Sequence, residues 1–357
     1  MVQSLAWQVR HYPDPHVRPE CFELATVELP EPRPGQVLVR NTWTSVDPGL
    51  RLRLRPDAPS GYFAAFPVGV PMDGVFTIGV VEQTTDPAFP VGTTVWHAQG
   101  WRTHAVVDVA EEAMNGIARL RALDVSVVSP QTYLGPLGPM GLTAYAGLHV
   151  VDGLRGGETI WVSAAAGAVG SLVCQVARLL GHRVVASAGT DQKVAWLLDD
   201  LGVDAAFSWR AAPVVESLRA AAPDGIDLYF DGVGGDHLEA ALEVAKPFAR
   251  LALCGSVSDY EGEPTGPRNL FLATSKNLTL RGFRGSAHVA LLEEMQARLG
   301  GWLAAGLLES RETVFDGLES APTALADMLA GRTTGKTLVR IGAGPGPLSM
   351  PELNSVG

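Results

Sequence analysis

Cysteine is scarce in this 357-residue chain: Cys21, Cys174 and Cys254 lie far apart, with no C-x-x-C pair. That spacing excludes a disulfide framework and a cysteine-built structural zinc site, and it leaves Cys174 and Cys254 as ordinary buried thiols. Lysine is nearly as rare. Of 27 basic residues only Lys193, Lys246, Lys276 and Lys336 are lysines, against 38 acidic residues and a net charge of −11. So acidic a surface argues against nucleic acid as a partner, because phosphate binding needs clustered Lys and Arg. No apolar run approaches the ~20 residues of a membrane span. The N-terminus, MVQSLAWQVRHYPDP, has no basic stretch leading into an apolar one, so no membrane partner and no secretory leader are expected and the cytoplasm is the expected location. With 46% hydrophobic and 18% charged residues the chain belongs among folded globular proteins, and its length implies two domains. Arginine over lysine, with abundant alanine and glycine, points to a GC-rich bacterial genome.

The most informative segment is Trp161–Ser171, WVSAAAGAVGS. An apolar run over Thr159–Val162 reads as a buried strand, small residues follow, and an apolar-periodic helix is predicted over Val169–Leu180. Gly167 and Gly170 let backbone N–H groups approach an anion, where the helix N-terminus adds roughly half a positive charge. The pattern is Ala165-x-Gly167-x-x-Gly170, with alanine at the first place of G-x-G-x-x-G, and it predicts a nucleotide diphosphate site.

Around it the chain changes character. The first ~130 residues are β-rich, with predicted strands at Val37–Trp43, Ile78–Glu82, Thr94–His97 and Thr103–Asp108 between Pro and Gly clusters. From Gly157 onward strands alternate with helices. Predicted strands are Thr159–Ser163, Arg183–Ser187, Asp204–Ser208, Asp227–Asp231, Arg250–Cys254 and Leu278–Phe283, with helices at Val169–Leu180, Asp191–Leu201, Pro213–Ala221 and His237–Ala245. Six strands in this alternation make an α/β doubly wound parallel sheet. The expected division is 1–130, 131–309 for nucleotide binding, a segment 310–341 that completes the first domain with a helix (Ala321–Ala330) and a strand (Thr337–Ile341), and a mobile tail 342–357.

Several stretches together carry a resemblance: SVDPGLRLRL (Ser45–Leu54), FPVGVPMDGVFTIGVVE (Phe66–Glu82), Gly100–Trp101, GLTAYAGL (Gly141–Leu148), AAAGAVGS (Ala164–Ser171), DLYFDGVGG (Asp227–Gly235), RLALCGSVSDY (Arg250–Tyr260) and TGKTLVR (Thr334–Arg340). On these the chain resembles the zinc-independent branch of the medium-chain dehydrogenase/reductase superfamily, nearest its alkenal double-bond reductase group, which includes prostaglandin and leukotriene B4 reductases. The resemblance implies a GroES-like first domain, a Rossmann domain, no metal, NADPH/NADP as cofactor and a homodimer joined through an edge strand, for which Asn277–Phe283 is the expected edge.

Site residues follow from the same resemblance. Gly167, Ala168, Val169 and Gly170 match the pyrophosphate loop, and Lys193 matches the lysine aimed at the adenosine 2′-phosphate. Local chemistry agrees: no Asp or Glu ends the second strand, where an NAD enzyme binds ribose hydroxyls, and a cation follows. Asp191 beside it reads as a helix N-cap. Trp209 stands where the family has a tyrosine, with Arg210 as a second charge. Cys254, Gly255 and Ser256, through Tyr260, match the segment beneath the nicotinamide ribose; Gly285 and Ser286 match the carboxamide contact. Tyr260 matches the tyrosine that stabilises the enolate formed when hydride reaches the β-carbon of an enone, sharing that role with a cofactor ribose hydroxyl. Besides Trp209, other positions depart from the family. Gly49 replaces a cleft-lining aromatic, which predicts a wider or reshaped pocket and a bulkier substrate; Gly232 replaces an asparagine; Pro139-Met140 reverses the family order, with Met140 at the substrate pocket.

Other polar groups read as structural: His97 and His104, seven residues apart with no carboxylate cluster, and Asp47 and Arg51, which hold a loop of the first domain. Asp231–His237 reads as a cofactor-side turn. The expected function is NADPH-dependent reduction of the C=C bond of an α,β-unsaturated carbonyl compound, an enone or enal, as a tailoring step in bacterial natural-product biosynthesis. The alternatives are a quinone or allylic alcohol/carbonyl oxidoreductase, and an NADPH-binding regulator without turnover.

Overall fold

A computed structural model describes residues 2–112, 116–150, 153–262 and 266–342; the expected tail 342–357 lies outside the described residues apart from Gly342. The chain begins as an antiparallel pair, β1 (Val2–Val9) with β2 (Phe22–Leu29). Then come β3 (Gln36–Val46), β4 (Thr77–Thr84), β5 (Thr94–His97), β6 (His104–Asp108) and β7 (Arg121–Ala122), and a helix, α1 (Pro139–Val150). The next stretch alternates: β8 (Thr159–Val162), α2 (Ala168–Leu179), β9 (Arg183–Ala188), α3 (Asp191–Asp199), β10 (Ala205–Ser208), α4 (Val214–Ala221), β11 (Ile226–Asp231), α5 (Gly235–Val244), β12 (Ala245–Leu253), α6 (Phe271–Ser275) and β13 (Thr279–Gly282). The chain closes with α7 (Leu292–Ala304), β14 (Glu312–Asp316), α8 (Ala321–Leu329) and β15 (Lys336–Arg340).

Six parallel strands form one sheet in the order β10-β9-β8-β11-β12-β13. That order runs outward in both directions from β8, the doubly wound Rossmann arrangement, and it opens a crevice beyond the carboxyl ends of β8 and β11, where the winding reverses. Side chains divide by the period of two. Ile160, Val162, Leu228 and Phe230 pack on one face against Leu142 and Tyr145 of α1 and Leu172 and Val173 of α2. Trp161, Val185, Tyr229 and Leu251 pack on the other against Leu218 of α4 and Ala240 and Ala241 of α5. With both faces covered, β8 is buried along its whole length, which is why it reads as an unbroken apolar run.

The second sheet has the order β14-β15-β3-β4-β5-β7, with β6 also paired to β3. The C-terminal segment therefore returns to the first domain, β15 running antiparallel to β3. A further link reaches the Rossmann sheet: the Gly335 N–H donates to Ala166 O at 2.8 Å, in the loop after β8. The crevice is thus closed on one side by the turn that leads into β15.

Candidate active site

A cleft of about 980 Å³ runs between the two sheets, past the carboxyl ends of β8 and β11. Its floor is the β8–α2 loop. There the chain turns at Ala164, whose φ of +48° is a left-handed conformation costly for a residue with a Cβ. The Gly167 N–H donates to Ala164 O at 2.9 Å and completes the turn. Gly170 has no room for a side chain: a Cβ there would lie 2.5 Å from Ala164 O and 2.8 Å from Ala165 Cα. Gly167 caps α2 without any side-chain bond, so the first N–H groups of the helix face the cleft unmasked. Ser163 ties this loop to the neighbouring one, since Gly232 N–H donates to its Oγ at 3.0 Å.

The turn after β11 is built around Asp231. Its buried carboxylate accepts from the N–H groups of Val233 (2.9 Å) and Gly234 (2.8 Å) and from the Tyr229 hydroxyl (2.7 Å). Burial still pushes its pKa up, against the lowering by those donors. The His237 ring stacks on Trp161 instead, with burial depressing its pKa to about 4. A carboxylate spent on a turn and a stacked imidazole match the reading of Asp231–His237 as a turn at the cleft.

At one end of the cleft β9 stops at Ala188 and α3 begins. Thr190, not Asp191, is the N-cap: its Oγ1 accepts from the Lys193 N–H at 3.3 Å, and Asp191 sits exposed in the first turn. Both residue types cap helices, and the extended backbone of Thr190 (φ −146°) decides between them. Lys193 Nζ reaches into the cleft mouth and donates to Gly331 O at 2.7 Å, in the turn after α8. Burial and then the neighbouring Arg210 guanidinium lower its pKa. Arg210 itself lies over the Trp209 ring, 4.9 Å from its centre. Two cations and an indole edge therefore mark this end.

At the other end stand Tyr260, Gly255, Cys254, Gly285, Ser286, Met140 and Gly49. Burial and then the nearby Tyr62 push the Tyr260 pKa well above its ordinary value near 10, against a lowering by the backbone N–H of Ser256, which its oxygen faces. It remains a neutral O–H donor. Cys254 is likewise pushed up to about 12, chiefly by burial. Lys336 is almost completely buried beside them, its Nζ donating to Asp47 Oδ1 (2.8 Å) and Val46 O (2.9 Å). Asp47 also accepts from Ser45 Oγ at 2.5 Å. Arg51 donates to Pro15 O at 2.8 Å and lies 4.0 Å from the Glu261 carboxylate. Both residues hold the first domain's loop. His97 does comparable work: its Nε2 contacts Asn41 Oδ1 at 2.9 Å, while Nδ1 accepts from the Gln99 N–H at 3.1 Å. Among the described residues no three His, Cys, Asp or Glu side chains converge as a metal site.

A family described as "N-terminal domain of oxidoreductase" matches residues 6–114, and one described as "Zinc-binding dehydrogenase" matches residues 168–299. Mouse (Mus musculus) prostaglandin reductase 1 is 37% identical over 349 residues, covering 95% of this chain and all of the mouse protein. The NADP(+)-dependent 2-alkenal reductase of Nicotiana tabacum is 37% identical over 319 residues, covering 88% of this chain and 90% of the tobacco protein. In three dimensions the chain is similar to CurA of Vibrio vulnificus in complex with NADPH, with a TM-score of 0.88 at 31% identity over 96% of this chain and all of the other. The chain belongs to the medium-chain dehydrogenase/reductase superfamily. It is an oxidoreductase of that superfamily's prostaglandin and alkenal reductase group.

Two features of this reductase's cleft stand out. The Ser256 Oγ bonds to Asp259 and sits where a side chain on Gly234 would otherwise be, so that side chain is turned into its own loop. At Gly49 the pocket is reshaped and not widened. A Cβ at Gly49 would lie 2.5 Å from the Tyr62 hydroxyl, so an aromatic side chain from the loop beyond fills the position. Gly232, by contrast, meets nothing closer than 3.5 Å, and packing alone does not demand a glycine there. Sequence reasoning missed Tyr62, Phe63, Arg284 and Lys336 as cleft residues. Lys336 lies in the TGKTLVR stretch and was there to be found; Tyr62, in a Pro/Gly-rich loop, gives no local signal.

Proposed function

We propose that this reductase transfers hydride from NADPH to the β-carbon of an α,β-unsaturated ketone or aldehyde. The observation that carries the reading is the continuity of one cleft, from the Lys193–Arg210 cations past the uncapped N-terminus of α2 to the hydroxyl of Tyr260. The residues fit the dinucleotide at each point. The N–H groups of Ala168, Val169 and Gly170 and the α2 dipole suit a pyrophosphate. Lys193 with Arg210 suits a 2′-phosphate, while Trp209 offers a ring and an N–H beside adenine. Cys254, Gly255, Gly285 and Ser286 leave a shallow bed for the nicotinamide. When bound, NADPH supplies the hydride and a ribose hydroxyl.

The chain's own chemistry is to hold the substrate and receive the charge that develops. Hydride on the β-carbon moves the alkene electrons toward the carbonyl oxygen, leaving an enolate. Tyr260 donates its O–H to that oxygen without being consumed, and its raised pKa keeps the proton in place throughout the neutral range. The enolate then takes a proton from solvent at the α-carbon. The NADP-dependent 2-alkenal reductase and the NADPH complex among the relatives support this cofactor and substrate class. In a tailoring step of bacterial natural-product biosynthesis a bulkier substrate would have to fit beside Tyr62, which occupies the space at Gly49.

A quinone is the second candidate acceptor, since a quinone oxidoreductase of Pseudomonas syringae is similar in fold, with a TM-score of 0.72 at 25% identity. Assembly as a homodimer would use the outer edge of β13, beside which Phe248 is exposed and donates its N–H to Lys276 O at 2.8 Å. The test is a panel of 2-alkenals, conjugated ketones and quinones with NADPH, using wild type and Tyr260→Phe. Loss of one preorganised donor lowers kcat by on the order of 10²–10³-fold with NADPH affinity unchanged. An unchanged kcat in Tyr260→Phe would remove Tyr260 from the chemistry.

A further inference from the structure

Position 49 has no side chain, and what stands in its place is the hydroxyl of Tyr62. Tyr62 belongs to the loop joining the strand end at Val46 to β4, and the loop is fixed at several points. The Tyr62 N–H donates to Pro59 O at 3.0 Å, closing a turn in which Gly61 has a φ of +76°. Arg53 Nε donates to Ala64 O at 2.8 Å, its Nη1 to Gly74 O at 3.0 Å, and its guanidinium lies 3.7 Å from the centre of the Phe66 ring. The Tyr62 ring packs on Phe63, 4.9 Å between centres, and Arg284 of the nucleotide-binding half lies over Phe63. The loop is thus held from both sides of the cleft.

The Tyr62 hydroxyl lines the cleft and has no hydrogen-bond partner among the described residues. Burial and then the Asp47 carboxylate push its pKa up, so at neutral pH it is a neutral O–H. Tyr260 faces the same space, and the two phenols lie close enough for Tyr62 to raise the Tyr260 pKa. The Ser256 N–H faces the Tyr260 oxygen and leaves that phenol's proton free, as the Tyr62 proton is, so two O–H donors line one cleft and suit an oxygen that needs two.

We propose that Tyr62 is a catalytic residue in the substrate cleft: its O–H and that of Tyr260 together hold the substrate carbonyl oxygen, and its ring, with glycine at 49 making room for it, is the wall that limits substrate width. This rests on the enone-reductase reading of the site. Hydride forms the new C–H bond at the β-carbon, the C=C pair moves to the oxygen, and both phenols share the resulting negative charge while keeping their protons.

Three variants separate donor from wall. Tyr62→Phe keeps the ring and removes the O–H; kcat and kcat/KM for a conjugated ketone fall together, on the order of 10- to 100-fold, with the NADPH Kd unchanged. Tyr62→Ala removes both, and the ratio of kcat/KM for a branched aryl enone over a short 2-alkenal rises at least tenfold over wild type. Gly49→Ala forces the Tyr62 hydroxyl aside and lowers kcat/KM without changing the NADPH Kd. Wild-type turnover with an unchanged rate in Tyr62→Phe and an unchanged substrate ratio in Tyr62→Ala would overturn the role of Tyr62 alone. Wild-type protein that binds NADPH but reduces no enone would overturn the underlying reading, and this proposal with it.

Discussion

Replacing Lys193 by alanine is the perturbation with the clearest arithmetic. Its ammonium is half-buried at the cleft mouth, and its present partner is a neutral carbonyl, Gly331 O at 2.7 Å. A charge-assisted bond to a phosphate is worth about 1.5–3 kcal/mol. At about 1.4 kcal/mol per tenfold change, Lys193→Ala should weaken NADPH by roughly 10- to 150-fold. Arg210 is exposed and screened by solvent, so Arg210→Ala should cost less, about fivefold at most. NADH has no 2′-phosphate, and both variants should bind it within about twofold of wild type. Titration calorimetry with the two coenzymes reads all of this directly, and added salt should narrow the NADPH advantage because the site is at the surface. Equal losses for NADPH and NADH would refute the reasoning. They would show that Lys193 works through its tie to Gly331, as a strap between α3 and the turn after α8.

Other outcomes follow from the same geometry. Gly170→Ala places a Cβ 2.5 Å from a backbone oxygen and should lower stability by about 1–3 kcal/mol, seen as a lower urea midpoint; Gly167→Ala, with nothing nearer than 3.2 Å, should keep the midpoint and weaken NADPH. Burial depresses His97 to about 3 and His237 to about 4, both below the unfolded value near 6.5. The unfolded chain then binds protons that the native state refuses, so stability falls as pH drops from 6.5 toward 4, by up to about 1.4 kcal/mol per unit for each histidine. Urea melts across that range should be visibly flatter for His237→Phe. With Cys254 pushed up to about 12, roughly one thiol in ten thousand is ionised at pH 8, and Cys21 and Cys174 are buried. Iodoacetamide should therefore label none of the three in the native protein and all three after unfolding, as mass spectrometry would count.

The Rossmann half was legible because parallel strands covered on both faces are continuous apolar runs, such as Val184-Val185-Ala186, and its amphipathic helices α2 to α5 lie within a few residues of the predicted spans. Helix α1 was invisible for the opposite reason. It is buried nearly all round, so no polar face gives it a helical period. Strands β1 and β2 form a two-stranded sheet of their own, β1 reaching loops only by isolated bridges, and the half-exposed β14 is a short edge; propensity alone does not lift such pieces above loop. Helix α7 shows Leu292, Met295 and Leu299 at helical spacing and was missed for want of a start signal: Leu291 makes no side-chain cap. The cofactor side of the site follows local chain order, so its residues could be named from spacing and resemblance. The substrate side does not. Tyr62 meets Gly49 through a loop path that no local pattern encodes, and Ser256 lies in the right segment but turns toward Gly234.

Stereospecifically deuterated NADPH tests the central claim most directly. Single-turnover reaction with a conjugated ketone should form NADP and place the deuterium on the β-carbon, leaving the carbonyl intact. Deuterium on a carbinol carbon, or coenzyme that binds and stays reduced with every enone offered, would contradict the account.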